Sequence, residues 1–284
     1  ATAHFNVAEL LGKHLKKDCL IILNPGRTFG ALKFHNIFKR LNPDNQSLIA
    51  EAQTTIYTSR KIAEDHVLIL ALKDEVLLST LDPSINHRLH DMLPPILQKH
   101  FKIAKSSIQT SIGNVGMILH CAPVLFNVGW TENSEFNYKH YVEGISPSIA
   151  KFLEKMDDER IAVSKVLGCE VETTFSWLKR SYHVEGDSLY EAIINNRAYQ
   201  NIDAPNTLEH RYIMEDVPFG LVPLEAVGLY FEVDMSHTTL IIDLANKLLD
   251  VDFRAQGRNL ENLGMGNGDE NLWELIKRRP AACE

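Results

Sequence analysis

The sequence has few cysteines, and none of them is arranged for a metal site or a disulfide framework. Only four of its 284 residues are cysteine, namely Cys19, Cys121, Cys169 and Cys283. They lie far apart and never in CxxC spacing, which excludes a typical structural zinc site and a small secreted disulfide scaffold. We therefore expect no bound metal and a reducing, cytoplasmic setting.

Long runs of basic or apolar residues are also missing. With 29 Lys and Arg against 37 Asp and Glu, the chain has a formal net charge of -8. Its basic residues form nothing longer than pairs such as Lys16-Lys17, which argues against nucleic acid and anionic membranes as partners. The apolar runs, such as Val67 to Leu72, are far shorter than the ~20 residues of a membrane span. Without a basic-then-apolar leader, the expectation is a soluble protein.

No GxGxxG turn occurs in the sequence, although such a turn normally lets the backbone approach a dinucleotide pyrophosphate. Instead, a helical pattern at 6–16 precedes the short apolar run Cys19 to Leu23. The turn at 24–28 and a helical segment to about Leu41 follow. This order of strand, tight turn and helix is typical of the later part of a dinucleotide-binding sheet. We therefore expect the chain to begin partway through such a domain.

The remaining patterns change character along the chain. Extended segments are predicted at 47–52, 66–72 and 76–81, followed by a helical stretch near 85–100. From about residue 108 onward, long amphipathic patterns dominate. One of these helices is predicted to start at Pro147 and to end near Gly168. The expected fold class is therefore α/β, followed by an all-α domain.

Five segments together resemble the octopine/nopaline, or opine, dehydrogenase family. They are LNPGRTFGALKF at 23–34, AEAQTTIYTSR at 50–60, LHCAPVLFNVGW at 119–130, YVEGISPSIAKFLEKMDDER at 141–160 and RYIMEDVPFGLVPLEAVG at 211–228. They follow the family's order through nearly the whole chain. The last of them contains the most specific run, RYIMEDVPFGLVP.

The resemblance implies a fold, a cofactor and a reaction. Residues 1–107 would form the C-terminal part of a Rossmann-like NAD(P)-binding domain, and residues 108–284 an all-α substrate domain. The implied cofactor is NAD or NADP in its reduced form. The implied reaction condenses an α-keto acid with the amino group of an amino acid and reduces the resulting imine to a secondary amine, an opine.

The resemblance also implies a catalytic pair. His120 aligns with the family's general acid/base, and an imidazole suits this role because its ordinary pKa of about 6.5 allows both protonation states near neutrality. Asp216 aligns with the carboxylate that fixes the tautomer of the histidine and stabilises its charged form. Without the resemblance, His120 is one of twelve histidines, and a packing or surface position would be the simpler interpretation.

Arg211 aligns with the arginine that holds a substrate carboxylate, for which a planar guanidinium is well shaped. The alternative is a helix-surface ion pair between Arg211 and Glu215. Residues five apart on a helix are rotated by roughly 140° from each other. Arg211 and Asp216 can therefore address one site only if the helix ends near Glu215, and Pro218 favours such an end by disfavouring helical geometry at Val217.

The other expected substrate contacts have alternative interpretations. The family usually has an asparagine where this chain has Gly116, and Asn114 is the candidate to replace it as a substrate contact. Trp130 and Tyr141 are expected near the substrate pocket, although aromatic side chains at helical spacing are more often part of the core. Cys121, next to the histidine, is expected to pack rather than to react.

The resemblance implies that two short segments contact the cofactor, although the residues alone favour an ordinary turn after a strand for the second. The residues are Thr2, Ala3, His4, Asn24, Pro25, Gly26 and Arg27. The alternatives to an opine dehydrogenase are a keto acid reductase on the same plan and a non-catalytic fragment or helical interaction module. The sequence selects neither NAD nor NADP, and it leaves a homodimer open.

Overall fold

The computed structural model describes residues 1–133 and 135–264. The expected fold class is confirmed, because an α/β region is followed by a helical one. All six strands end by Ile103, and from Ser107 onward every named element in the described residues is a helix. The boundary predicted between residues 107 and 108 agrees with this change but remains a prediction. The last part of the predicted second domain, 265–284, lies outside the described residues.

The strands of the α/β region form two separate sheets. They are β1 (Leu20–Leu23), β2 (Leu48–Ala52), β3 (Tyr57–Lys61), β4 (Val67–Leu72), β5 (Val76–Thr80) and β6 (Phe101–Ile103). The main sheet has the order β1-β2-β5-β6, in which β1 pairs with β2 and β5 with β6 in parallel, whereas β2 and β5 are antiparallel. Since β1 and β2 are parallel neighbours, both of their carboxyl ends face the same edge of the sheet.

Helices cover this sheet. They are α1 (His4–His14), α2 (Gly30–Leu41), α3 (Asn86–Met92) and α4 (Pro95–Gln98). Helix α2 is amphipathic and buries Leu32, Phe34 and Phe38, which together remove a large apolar area from water. Because α2 starts directly after the turn that follows β1, its packing fixes the position of that turn.

The second sheet is a hairpin of β3 and β4, paired antiparallel. The sequence predicts β4 but not its partner β3. The hairpin extends to the helical region, where the Thr58 and Tyr182 hydroxyl oxygens lie 2.7 Å apart and Arg60 donates to the Tyr212 hydroxyl at 2.9 Å. These contacts place β3 on the wall of the space between the two regions.

The helical region consists of ten α-helices within the described residues. They are α5 (Ser107–Ile112), α6 (Gly116–Phe126), α7 (Val128–Thr131), α8 (Pro147–Val166), α9 (Thr174–Tyr182), α10 (Leu189–Ile194), α11 (Arg211–Met214), α12 (Val222–Tyr230), α13 (Ser236–Leu249) and α14 (Phe253–Gln256). As predicted, Pro147 starts α8, after the N-cap Ser146, whose hydroxyl accepts from the Ile149 amide. Gly168 follows the end of α8 at φ +71°, a left-handed conformation that favours glycine.

Helix α6 lies in the core and buries its apolar residues nearly all round, among them Met117, Ile118 and Val124. By length and composition alone, the stretch Ser107–Phe126 is apolar enough to cross a membrane. However, 83% of its most apolar 18-residue window is buried inside the protein, which is the expected property of a core helix. The burial of α6 matters for function because this helix carries His120.

A buried ion pair joins α8 to its neighbours. The Arg160 guanidinium, fully buried, pairs with Asp157 at 2.8 Å and donates to the Ile112 and Glu172 carbonyl oxygens at 2.8 and 2.7 Å. Asp157 in turn accepts from the Thr174 amide and hydroxyl, both at 2.7 Å. Helices α5, α8 and α9 therefore depend on one hydrogen-bonded charge pair.

We predict that Arg160→Met destabilises the fold by about 3–5 kcal/mol, because it leaves the Asp157 carboxylate buried without its cation. The control is Lys155→Met, which breaks the exposed pair with Asp158 on the same helix and is expected to cost about 0.5 kcal/mol or less. Urea unfolding curves of the three proteins provide the measurement. Equal unfolding midpoints for the two variants would contradict the structural role of Arg160.

Candidate active site

A cleft of about 360 Å³ lies between the α/β and helical regions. The turn after β1 contributes Pro25 and Arg27, and the segment after β2 contributes Thr54. The helical region contributes His120 of α6 and Arg211 of α11. The cleft thus opens at the carboxyl ends of two parallel strands, which is where open α/β sheets bind ligands.

His120 and Asp216 form a hydrogen-bonded pair beside this cleft, with Nδ1 of the imidazole 2.7 Å from Oδ2 of the carboxylate. Asp216 is fully buried, and it follows directly after α11. That helix ends at Met214, with Glu215 as its C-cap, and a single π-helical turn begins at Val217. The predicted helix end near Glu215 is therefore present. Its predicted cause is wrong, because Val217 before Pro218 is helical and the chain continues through the π-helical turn. This arrangement brings His120, Asp216 and Arg211 to one site.

The other side of the His120 ring is also defined. Its Nε2 lies 3.1 Å from the Tyr141 hydroxyl, and its face stacks on the Tyr212 ring at 4.0 Å. Since the ionised Asp216 can only accept, Nδ1 carries the proton of the neutral imidazole. Nε2 then presents its lone pair to the Tyr141 hydroxyl, which donates to it. Tyr141, predicted as a substrate contact, is thus both on the cleft wall and bound to the histidine.

Arg27 belongs to this network, although the sequence predicts it as a cofactor contact. Its Nη1 lies 2.7 Å from Asp216 Oδ1, so the carboxylate is shared between Arg27 and His120. Its Nη2 is also 3.6 Å from Glu215. Arg27 has a left-handed φ of 61°, a strained conformation for an L-residue. The sequence offers no signal for this pairing, because the two residues are far apart in the chain.

Burial and charge set the protonation states of the pair. Burial lowers the pKa of His120 to about 4, although Asp216 partly opposes this change, and Arg211 and Arg27 add to it. Burial alone would raise the pKa of Asp216, but the charges of Arg27 and His120 and the hydrogen bond from His120 outweigh it, so that this pKa is lowered. At neutral pH the site therefore holds an ionised Asp216 and a neutral His120.

Two guanidinium groups flank the ring of Tyr212. Arg211 is exposed, with its Cζ 5.5 Å from the ring centroid. Arg60 donates to the Tyr212 hydroxyl at 2.9 Å. Glu215 pairs with Arg27 and the Ala1 amino group, and among the described residues no carboxylate forms an ion pair with Arg211. The alternative Arg211–Glu215 surface pair is therefore absent, and the Arg211 guanidinium is free to bind an anion.

Asn114 and Gly116 lie together beside Arg27. A Cβ on Gly116 would be 2.9 Å from Arg27 Nη1 and 3.4 Å from both Asn114 Oδ1 and His120 Cε1. The longer side chain of an asparagine at this position would therefore collide with Arg27. Asn114, buried on the cleft wall, occupies the space beside the glycine, in keeping with the predicted shift of the amide by two positions.

The structure separates two further residues from the cleft. Trp130 is 52% exposed and packs edge-on against Tyr138. It does not line the cleft, contrary to the prediction. Cys121 is buried, and its Sγ donates to the Tyr212 carbonyl oxygen at 3.2 Å. Burial raises the pKa of its thiol well above the usual value, which agrees with the packing role that the sequence suggests.

The residues predicted to contact the cofactor fall into three groups. Pro25 and Arg27 line the catalytic cleft. Thr2 and His4 line a second cavity of about 290 Å³, where His4 contacts the buried Arg258 at 3.1 Å. The remaining three, Ala3, Asn24 and Gly26, are not among the lining residues of either cavity.

The residues of the cleft could receive the nicotinamide end of a dinucleotide. Pro25 and Thr54 follow the parallel strands β1 and β2, at the edge where open α/β sheets bind ligands. The sequence has no glycine-rich turn for the phosphates, so none of its residues is assigned to them.

Comparisons with known proteins agree with this site. Residues 103–249 match the family described as NAD/NADP octopine/nopaline dehydrogenase, alpha-helical domain. The chain is 33% identical to the opine dehydrogenase of Arthrobacter sp. (strain 1C) over 93% of this chain and 73% of that protein. It is 24% identical to the vitopine synthase of Allorhizobium ampelinum over 92% of this chain and 71% of the synthase.

Solved structures show the same fold. The structure of octopine dehydrogenase with NADH and L-arginine matches with a TM-score of 0.73 at 18% identity. The match covers 100% of this chain and 77% of the octopine dehydrogenase chain. The NADP⁺-bound yersinopine dehydrogenase matches with a TM-score of 0.66 at 14% identity, over 91% of this chain and 71% of the yersinopine dehydrogenase chain. The family match spans slightly more than half of the chain. Together with the identity to the Arthrobacter enzyme, it shows that the chain belongs to the octopine/nopaline dehydrogenase family of NAD(P)-dependent oxidoreductases.

Proposed function

We propose that the protein is an NAD(P)H-dependent opine dehydrogenase that joins an α-keto acid to the amino group of an amino acid. The observation that carries this proposal is the buried His120–Asp216 pair, with Arg211 on the same cleft. In the overall reaction, the keto acid, the amino acid, NAD(P)H and one proton give the secondary amine, NAD(P)⁺ and water. The neutral imidazole and the free guanidinium match the two requirements of this reaction, proton transfer and carboxylate binding.

His120 transfers protons during condensation. Its neutral Nε2 accepts a proton from the substrate ammonium group, which frees the amine to attack the keto carbon. Asp216 stabilises the imidazolium that forms, because its charge lies 2.7 Å from Nδ1. The imidazolium then protonates the hydroxyl of the adduct, which leaves as water and gives the imine. The Tyr141 hydroxyl is hydrogen-bonded to Nε2. It is either displaced from Nε2 by the substrate or relays the proton between the substrate and Nε2.

Arg211 binds a substrate carboxylate through its planar fork, and Asn114 offers an amide at the same wall. Pro25, Thr54 and Arg27 would lie beside the nicotinamide of NAD or NADP. When bound, the reduced cofactor supplies the hydride that converts the imine carbon to CH. We assign no preference between NAD and NADP. A cytoplasmic location is also proposed, in keeping with the free state of Cys19, Cys121 and Cys169.

We predict that oxidation of NADH or NADPH by the full-length enzyme requires a keto acid and an amino acid together. The physical reason is that hydride is accepted by the imine carbon, which forms only from both substrates. The measurement is the loss of absorbance of the reduced cofactor with each substrate alone and with the two combined. Full activity with the keto acid alone would instead identify a keto acid reductase, and inactivity with all combinations would support a non-catalytic chain.

We predict that His120→Ala lowers kcat by roughly 10²–10⁴, which is the usual contribution of a positioned general acid/base. His87→Ala, which removes an exposed imidazole on α3, is the matched control and is expected to retain the parent rate. Steady-state kinetics with saturating substrates test this difference. A His120→Ala enzyme with full turnover would remove this residue from the mechanism.

We predict that kcat/KM decreases as the pH is lowered, with an apparent pKa of about 4. This is the value expected for His120 in the free enzyme. The reason is that only the neutral imidazole can accept the proton of the ammonium group. Arg27→Gln removes a positive charge that lowers this pKa, so the acid limb should move to higher pH.

The control for this charge change is Arg40→Gln on the exposed side of α2. The measurement is the pH profile of kcat/KM for the three proteins. An acid limb that stays in place, or moves to lower pH, in the Arg27→Gln enzyme would show that Arg27 does not act on His120.

A further inference from the structure

The cleft contains more positive charge than the protein itself neutralises. Its lining includes five cations and a single carboxylate, Asp203. Asp203 pairs with Lys139, and Arg27 pairs with Asp216 and Glu215. Four cations therefore line the cleft without a carboxylate partner among the described residues. They are Arg60, Lys61, Lys73 and Arg211.

Two of these cations are sufficient for the carboxylates that every opine substrate pair brings. Arg60 and Arg211 flank the ring of Tyr212, and this ring stacks on His120 at 4.0 Å. Both guanidinium groups are therefore close to the reacting atoms. One carboxylate of the keto acid and one of the amino acid would satisfy them.

Lys73 is then a buried lysine without a carboxylate partner among the described residues. Its residue is only 7% exposed, and its Nζ donates to uncharged oxygens alone, the nearest being the Thr55 carbonyl at 2.8 Å. Burial, followed by the charges of Arg27 and Arg211, lowers its pKa to about 7. A lysine that is removed from water in this way gains most from an anion placed beside it. Lys61, in contrast, is exposed, and water screens its charge.

We propose that the substrate pair of this enzyme carries three carboxylates, so that the opine is a tricarboxylate, and that Lys73 binds the third. This inference rests on the proposed opine dehydrogenase function. The third carboxylate comes either from an acidic side chain of the amino acid or from a dicarboxylic keto acid. A cationic side chain, such as that of arginine, is disfavoured, because it would enter a cleft with four unpaired cations.

The two sources converge on one product connectivity. Pyruvate with glutamate and 2-oxoglutarate with alanine both lose water, gain a hydride and a proton, and give N-(1-carboxyethyl)glutamate. Binding of this compound therefore tests the shared chemistry, whereas turnover of the two substrate pairs distinguishes the sources. N-(1-carboxyethyl)glutamine is the control ligand, because it has nearly the same shape and lacks only the third charge.

Lys73 also has a structural role to be separated from binding, since its contacts join the segment after β2 to the hairpin. A purely structural role would make Lys73→Met weaken both ligands equally. A role in recognition would weaken the tricarboxylate selectively. Lys102→Met is the matched control, because it removes an exposed lysine of β6 that pairs with Glu75 outside the cleft.

Isothermal titration of the parent protein is expected to show the tricarboxylate binding about tenfold or more tighter than the glutamine analogue, the effect of one charge-assisted hydrogen bond. In Lys73→Met this ratio should fall to about threefold or less, and in Lys102→Met it should persist. Equal binding of the two ligands by the parent protein, or an equal loss of both in Lys73→Met, would overturn the proposal.

Turnover provides the second readout, and it does not depend on the folding of Lys73→Met. With the full-length enzyme, either pyruvate with glutamate or 2-oxoglutarate with alanine should have a kcat/KM about tenfold or more above that of pyruvate with glutamine. Preference for glutamine or arginine would refute the third carboxylate while leaving the opine dehydrogenase function intact. Selective binding without cofactor oxidation by any pair would instead refute the proposed function.

Discussion

The site depends on one fully buried carboxylate, Asp216, shared between Arg27 and His120. An ionised carboxylate without partners would cost several kcal/mol at this depth, so both partners must be in place when the protein folds. Arg27 comes from the turn after β1, whereas His120 and Asp216 come from the helical region. The same interaction therefore fixes the relative position of the two walls of the cleft and the tautomer of the histidine.

The charge balance around Asp216 explains the chemistry of the cleft. Burial is the main reason why the His120 imidazole stays neutral at physiological pH. Asp216 opposes this effect, and the charges of Arg211 and Arg27 add to it. Only the neutral imidazole can accept a proton from an amine substrate that arrives as an ammonium ion. Arg60, Lys73 and Arg211 also line the cleft without a carboxylate partner among the described residues, and such a charge distribution attracts anions.

The sequence predicts the parts of this site that depend on local patterns or on family motifs. Pro147 indicates where α8 starts, and the resemblance supplies the pairing of His120 with Asp216. The Arg27–Asp216 ion pair and the approach of Lys73 were not predicted, because they depend on how distant segments pack. For the same reason, Trp130, although within a family-like motif, lies outside the cleft. The reason for a glycine at position 116 is visible only in the structure, because the Arg27 side chain leaves no room for a larger residue there.

The most direct test of the central claim is ¹⁵N NMR of His120, which distinguishes the protonated from the unprotonated ring nitrogen. At pH 7, we expect one proton on Nδ1, directed at Asp216, and a lone pair on Nε2, directed at the Tyr141 hydroxyl. The ring should remain neutral until the pH approaches about 4. An imidazolium at pH 7, or a neutral ring with its proton on Nε2, would contradict the assignment of His120 as the base that receives the ammonium proton.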